Sequence, residues 1–426
     1  MIGKISELIL QFVVSLATAR YLGPSNFGII NYVAAYVSFF SSIASLGLTV
    51  IVIKEISSNN YNHNEIVWTA IGMRIIAGIL STIGVISLIY ITHSNDSTMH
   101  IIAFLESISI LFSSFEVFNY YFQAKLLAKW VSIANFFGYI GMSLYRIYLL
   151  LTGKDIVWFA FATSLDTILL VIFSFVFYTR QEGFKPHFNK ELSKTMFKQS
   201  YHYMIAGLMI IMYSRIDQVM IGSMLNQAAV GYYSATLKIS GLFSLISSAL
   251  IHSLSPILYE EARRDRQSFL RRLKQSYSII FWLNAIFSII VSIFAKWIIV
   301  LLYGNEFIAG ISALRIVVWY YGISEMASLN QIYLANDNKN KYINKFCFAG
   351  VVIDIVLNMM LIPKYGINGA AIATLITQVI VQIIMPYLYK DTREISRCIF
   401  DGIILKNVIN QSERKFIKKL IKHKMT

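Results

Sequence analysis

Charge is scarce in this chain. Only 14 % of its 426 residues are Asp, Glu, Lys or Arg, against roughly a quarter in a soluble globular protein, so the charged surface that keeps a chain of this size in water is missing. Acidic residues are the scarcer kind, 22 against 37 Lys and Arg, for a formal net charge of +15. Cysteine is nearly absent. Cys347 and Cys398 exclude a disulfide framework, and neither has neighbours at metal-ligand spacing, so both are expected to be packed or free thiols. No small-residue cleavage site follows the first apolar stretch, which is therefore read as a retained helix. The basic excess does not point to nucleic acid, because the charges are dispersed between apolar runs instead of gathered on one soluble face.

What is present is hydrophobicity. Apolar residues make up 57 % of the chain, Phe and Tyr are abundant at 29 and 26, and aromatic rings of that kind favour membrane interfaces. A helix needs about twenty mostly apolar residues to cross the hydrocarbon core. Twelve such runs recur, near 4–22, 27–48, 66–91, 99–123, 130–151, 156–178, 200–224, 228–252, 276–302, 310–334, 343–362 and 369–389. The fold class expected is an all-α membrane protein with about twelve transmembrane helices. Few residues precede the first run, so that span is expected to be short.

Orientation follows from the loops, since cytoplasmic loops retain Lys and Arg. Of the 37 basic residues, 28 fall in alternate segments on one side, among them five between 180 and 198, six between 263 and 274 and ten from Lys390 to Lys424. The other side keeps Arg20, Lys154 and Lys364. Both termini are therefore expected in the cytoplasm. The longest inner loop, about 179–199, lies midway and suggests two six-helix halves, 1–189 and 190–389, followed by a basic tail over 390–426. In that tail Ile395, Ile399 and Ile403 recur every fourth residue, the pattern of a helix lying along the inner leaflet.

The halves repeat. An offset of 203 places Gly28 on Gly231, and two polar stripes coincide: Gly28, Asn31, Ala35, Ser38, Ser42 and Ser45 with Gly231, Ser234, Lys238, Gly241, Leu245 and Ser248. Small residues let membrane helices approach closely, and a repeated pair of polar-striped helices is also what a transporter built on repeats requires. His252 continues the second stripe.

Ionisable side chains inside membrane spans cost about 2.5–3.5 kcal/mol on insertion scales and face the bundle interior or a wet cavity. The basic set is Arg74, Arg146, Arg215, Lys238, Lys296 and Arg315; the acidic set is Glu106, Glu116, Asp166, Asp217, Glu325 and Asp354. Lys296 can extend to the outer interface. Arg215 and Asp217 lie two apart and point to different faces of one helix. Lys238, in a polar stripe, is the leading candidate for an anion contact, with Arg74, Arg146 and Arg315 beside it. The acidic set serves either ion coupling or structural pairing with the basic one. One stripe, Glu106, Ser109, Ser113, Glu116, Tyr120 and Gln123, follows helical spacing.

Several passages carry a family resemblance: Ala19-Arg20-Tyr21-Leu22-Gly23-Pro24 with Phe27-Gly28, Arg215-Ile216-Asp217-Gln218-Val219-Met220-Ile221-Gly222, Val230-Gly231-Tyr232-Tyr233, Leu302-Tyr303-Gly304-Asn305-Glu306-Phe307, and Ile362-Pro363-Lys364-Tyr365-Gly366-Ile367-Asn368-Gly369-Ala370-Ala371. In this order they resemble the polysaccharide transporter family of O-antigen and capsule flippases, within the multidrug/oligosaccharidyl-lipid/polysaccharide exporter superfamily. The resemblance implies a V-shaped bundle of six plus six helices, a cationic cavity to which Arg20 and Arg215 belong by motif, and a sugar unit on undecaprenyl diphosphate as substrate. Membrane lipids, a polysaccharide polymerase and chain-length machinery are the implied partners, with no nucleic acid, cofactor, metal or catalytic residue. A drug exporter of the same superfamily would favour an acidic cavity. A membrane glycan polymerase or glycosyltransferase would need larger outer loops than Thr152-Gly153-Lys154-Asp155.

Overall fold

Lipid offers no hydrogen bonds, so a spanning backbone has to satisfy its own polar groups, and helices do this within one segment. The structure, a computed structural model, describes residues 2–58 and 61–405, without the side chains of 2–11 and 128. Its regular elements among the described residues are all helical. Ten segments are long and apolar enough to cross a membrane. The first, Phe12–Ser58, is 47 residues long and takes in the whole of the second expected span and the first from Phe12 onward. Helix α6 (Ala128–Thr152), 25 residues long, completes the twelve; Lys129 and Arg146 make it less apolar.

The elements follow the hydropathy pattern closely. Helix α1 (Ile2–Ala44) breaks at Gly23, whose φ of 71° and ψ of 174° are non-helical and are followed by Pro24. Glycine tolerates that φ, and proline is well placed as the first residue of the next helix. Helices α2 (Leu48–Ser58) and α3 (His63–Thr92) follow, then α4 (Ser97–Ser113), a 3₁₀ turn at Ser114–Glu116 and α5 (Val117–Ala124). After α6 come α7 (Ile156–Glu182), α8 (Lys190–Met224), α9 (Gln227–Arg264) and α10 (Arg266–Tyr303). Helices α11 (Ile311–Ser324), α12 (Met326–Asn336), α13 (Lys341–Tyr365), α14 (Ile367–Val379), α15 (Met385–Leu388) and α16 (Arg393–Ile403) are the last among the described residues.

Helix starts carry side-chain caps that satisfy free N–H groups. Asp96 accepts from Met99 N, Asn189 from Glu191 N and Leu192 N, and Asp265 from Ser268 N. Helices α8, α9 and α10 run beyond the apolar runs at their charged ends. Hydropathy registers the lipid-facing length, whereas the backbone ladder continues wherever propensity and caps allow.

The chain divides into two compact units, with the division after Gly231. The first has an apolar cluster at its charged end around Ile56, Val67, Phe118, Phe122, Tyr178 and Met196. The second has an equivalent around Leu258, Phe269, Leu273, Tyr333, Ile395 and Ile399. The isoleucine stripe of α16 therefore packs on protein: Ile395 and Ile399 are fully buried, while Phe400 and Ile404 are 49 % and 71 % exposed. Lys274 to Asp401 at 2.6 Å and Trp282 Nε1 to the Ile403 carbonyl at 3.2 Å hold α16 against α10. The remainder of the expected tail, 406–426, lies outside the described residues.

Candidate functional site: ionisable side chains within the spans

In the first unit, Arg74 on α3 is almost completely buried. It donates to the Tyr120 hydroxyl at 3.1 Å and to Glu116 Oε2 at 3.4 Å, and its guanidinium lies 5.7 Å from the Tyr120 ring centre. Glu116 closes the 3₁₀ turn at Ser114–Glu116 that joins α4 to α5. Arg74 Nε has no hydrogen-bond partner.

A second cluster joins three helices. Glu106 on α4 is fully buried, and neither of its carboxylate oxygens has a hydrogen-bond partner. Arg146 on α6 interacts electrostatically with Asp166 on α7 and with Glu106. Ser164 fastens α7 to α4 at this level: its hydroxyl donates to the Leu105 carbonyl at 2.5 Å and accepts from Ser109 N at 3.1 Å. One guanidinium thus serves a buried carboxyl group, Glu106, and a half-buried one, Asp166, without a direct hydrogen bond to either, an arrangement short of fixed partners for its charges. The sequence stripe is split, since Glu106 and Glu116 answer to different arginines.

Arg20 is exposed on α1. Arg215 on α8 is half-buried and donates to Gln218 Oε1 at 3.1 Å, while Asp217 is buried.

In the second unit Lys238 lies half-buried on α9. Arg315 is exposed on α11 and donates from Nε to the Ser292 carbonyl at 3.2 Å. Glu325 occupies the junction of α11 and α12, and Asp354 is fully buried and accepts from Asn358 Nδ2 at 3.0 Å. Asn358 and Gln378 stand 212 residues after Arg146 and Asp166, so neutral amides hold places where the first unit has charges. A cavity of about 330 Å³ opens between α9 and α12, with His252, Tyr259 and Gln331 in its wall. Among the described residues no group of three or more His, Cys, Asp or Glu could hold a metal ion.

Sequence reasoning overlooked a pair of polar junctions at the charged ends. Tyr121 donates to Glu182 at 2.6 Å, and His63 lies 3.2 Å from the same carboxylate. In the second unit Tyr333 donates to Glu394 at 2.8 Å, and Arg266 bridges Glu394 and Asp337. His63 and Arg266 are 203 residues apart, whereas Tyr121 and Tyr333, and Glu182 and Glu394, are 212 apart. A change of offset by nine residues along the chain would have exposed the match.

A chain of many apolar helices long enough to cross a bilayer, with arginines, a lysine and carboxylates set inside its spans, is a multi-pass membrane protein by architecture. Solved structures agree on the fold. The lipid II flippase MurJ, in its inward closed conformation, superposes with a TM-score of 0.75 at 15 % identity, covering 96 % of this chain and 91 % of that one. An inward-facing multidrug resistance MATE transporter of the MOP superfamily gives 0.68 at 13 % identity, covering 92 % and 95 %. The polysaccharide biosynthesis protein family matches residues 1–261, and the chain belongs to it. Among curated relatives, the probable low-salt glycan biosynthesis flippase Agl15 of Haloferax volcanii is 27 % identical over 45 % of this chain and only 40 % of its own length. The probable flippase AglR of the same organism is 23 % identical over 88 % of this chain and 79 % of its own. The capsular polysaccharide biosynthesis protein CapF of Staphylococcus aureus is 22 % identical over 91 % and 97 %.

Proposed function

We propose that this protein is a flippase that carries undecaprenyl-diphosphate-linked repeat units of O-antigen, or of a related surface polysaccharide, from the cytoplasmic to the periplasmic face of the bacterial inner membrane. The observation that carries the reading is the basic set on spanning helices, with Lys238 and Arg215 half-buried in a chain of this family. A diphosphate entering a low-dielectric span needs cations that the protein supplies in advance. Hydroxyl and amide groups on the polar stripes would solvate the sugars while the prenyl chain stays in lipid, and alternating access would move the unit across. No covalent step is required. The excess of Lys and Arg in alternate loops supports cytoplasmic termini, and polymerase and chain-length proteins are the expected successors in the pathway. The unpartnered oxygens of Glu106 support this group as the candidate for ion coupling.

The test follows undecaprenyl-diphosphate-linked glycan at the outer face of the inner membrane in cells carrying wild type, Lys238→Ala or Arg215→Ala at matched expression. Loss of outer-face glycan with accumulation at the inner face is the expected result. Unchanged export would reduce these charges to structural roles and remove the basis for a diphosphate carrier.

A further inference from the structure

The cavity between α9 and α12 has a composition unlike the charged clusters. Six polar side chains line it, Ser248, His252, Ser255, Tyr259, Ser328 and Gln331, with three isoleucines and Ala335 as its apolar part and no Asp, Glu, Lys or Arg. Its volume of about 330 Å³ is at the lower end of the ~300–1,000 Å³ typical of ligand pockets. The hydrogen-bonding capacity of the wall is largely unspent. Ser248 and Ser255 donate to the carbonyls of Leu245 and Ile251 at 3.0 and 2.7 Å, which leaves their oxygens as acceptors. His252, Tyr259, Ser328 and Gln331 have no side-chain hydrogen bond or ion pair among the described residues. Pro256 lies within α9 and has no N–H, so the carbonyl of His252, four residues earlier, loses its helical donor. A wall with donors and acceptors, two flat rings and no Asp, Glu, Lys or Arg suits a polyhydroxylated, uncharged ligand. A phosphate or carboxylate would be desolvated there without a cation, and a cationic drug without an anion.

The cavity also has a defined place along α9. Lys238, Gly241, Leu245, Ser248, His252, Ser255 and Tyr259 follow at three- and four-residue steps on one face of α9. At about 1.5 Å per residue, His252 lies roughly 21 Å along the helix from Lys238, toward the charged end that carries Arg263 and Arg264.

We propose that this cavity is a subsite for an uncharged sugar residue of the lipid-linked glycan, at a position distal to the diphosphate. The assignment rests on the flippase reading above, with Lys238 at the diphosphate. It makes the second unit a reader of glycan length and charge: a unit long enough to span from Lys238 to His252 gains contacts that a single sugar on the same lipid does not.

The test uses purified protein in proteoliposomes and two probes: undecaprenyl diphosphate bearing one hexose, and the same lipid bearing a neutral tetrasaccharide. The readout is the ratio of tetrasaccharide to monosaccharide translocation. Ser328→Trp, which fills the cavity, and Gln331→Leu, which removes its amide, are each expected to lower that ratio at least tenfold. An unchanged ratio in both variants overturns the subsite, whether the absolute rates hold or fall together. If Ser328→Trp unfolds, as judged by its melting temperature, Gln331→Leu decides. Failure of the wild type to move either lipid, in vesicles where it is folded, overturns the flippase reading itself and the subsite with it.

Discussion

Gly28 and Gly231, 203 residues apart in sequence, form the two halves of one reciprocal contact. A Cβ on Gly28 would lie 1.7 Å from the carbonyl oxygen of Gln227, and a Cβ on Gly231 would lie 2.0 Å from that of Pro24. Pro24 and Gln227 are themselves 203 apart, so equivalent residues meet equivalent residues. The repeat seen as a sequence offset is a physical contact between backbones, which only glycine permits at this distance. Gly28→Ala and Gly231→Ala should each destabilise by about 3 kcal/mol, at the upper end of overpacking costs, because a backbone oxygen has to move. Thermal unfolding in detergent checks this. An effect below the resolution of the melt would mean the helices separate freely.

Arg74 is deeply buried whereas the side chain of Glu116 is 39 % exposed. Removing Glu116 strands a buried cation, while removing the Tyr120 hydroxyl deletes one acceptor of the Arg74 guanidinium and leaves the ion pair in place. Glu116→Ala is therefore expected to cost about 3 kcal/mol and Tyr120→Phe about 1 kcal/mol. The double variant Arg74→Met with Glu116→Gln should melt closer to wild type than Glu116→Ala alone.

Glu106 has no hydrogen-bond partner to lose. Glu106→Gln should leave stability within about 1 kcal/mol of wild type, whereas Arg146→Ala, which leaves two carboxyl groups without their cation, should cost about 3 kcal/mol. If Glu106 also couples transport to an ion gradient, Glu106→Gln will transport at a rate independent of that gradient. Gradient dependence that persists in the variant excludes it from coupling.

At the charged end of α12, burial tends to raise the pKa of Asp337, but hydrogen bonds from Arg266 and Lys339 outweigh it and hold the carboxyl below its ordinary value. A folded-state value below the unfolded one stabilises above about pH 4 and is lost as pH falls through the folded value. Between about pH 5 and pH 3 the wild type should lose more melting temperature than Asp337→Asn. Equal losses would show that the ion pairs are absent in solution.

Cys398 is buried on the inner face of α16, and desolvation pushes its thiol up to about 12. Since the thiolate is the reactive species, maleimide should leave Cys398 unmodified at neutral pH and modify it once detergent denatures the protein. Rapid modification of the native protein, followed by mass spectrometry of the peptide containing Cys398, would show that α16 detaches from α10.

The number of spans and most of their ends were legible in the chain because each depends on a local balance of apolar length against lipid thickness. Gly23-Pro24 and Gly366 declared their turns by backbone restriction alone; Gly366 has a φ of 58° where α13 ends. The intramembrane charges were equally plain as a set. Their sorting was not: that Arg74 takes Glu116 and Tyr120, while Arg146 serves Glu106 and Asp166, depends on how helices far apart in sequence are rotated against one another. The isoleucine stripe of α16 shows the same limit, since periodicity identifies an apolar face but does not say whether lipid or α10 covers it.

The sequence by itself determined that this is a helical membrane protein with a duplicated core, because hydropathy, charge asymmetry and the 203-residue repeat are properties of the chain read in order. Only the tertiary structure decided which charges pair, which remain without hydrogen bonds, and that an uncharged polar cavity lies beside α9. Those depend on the register of packed helices, which a one-dimensional pattern leaves open.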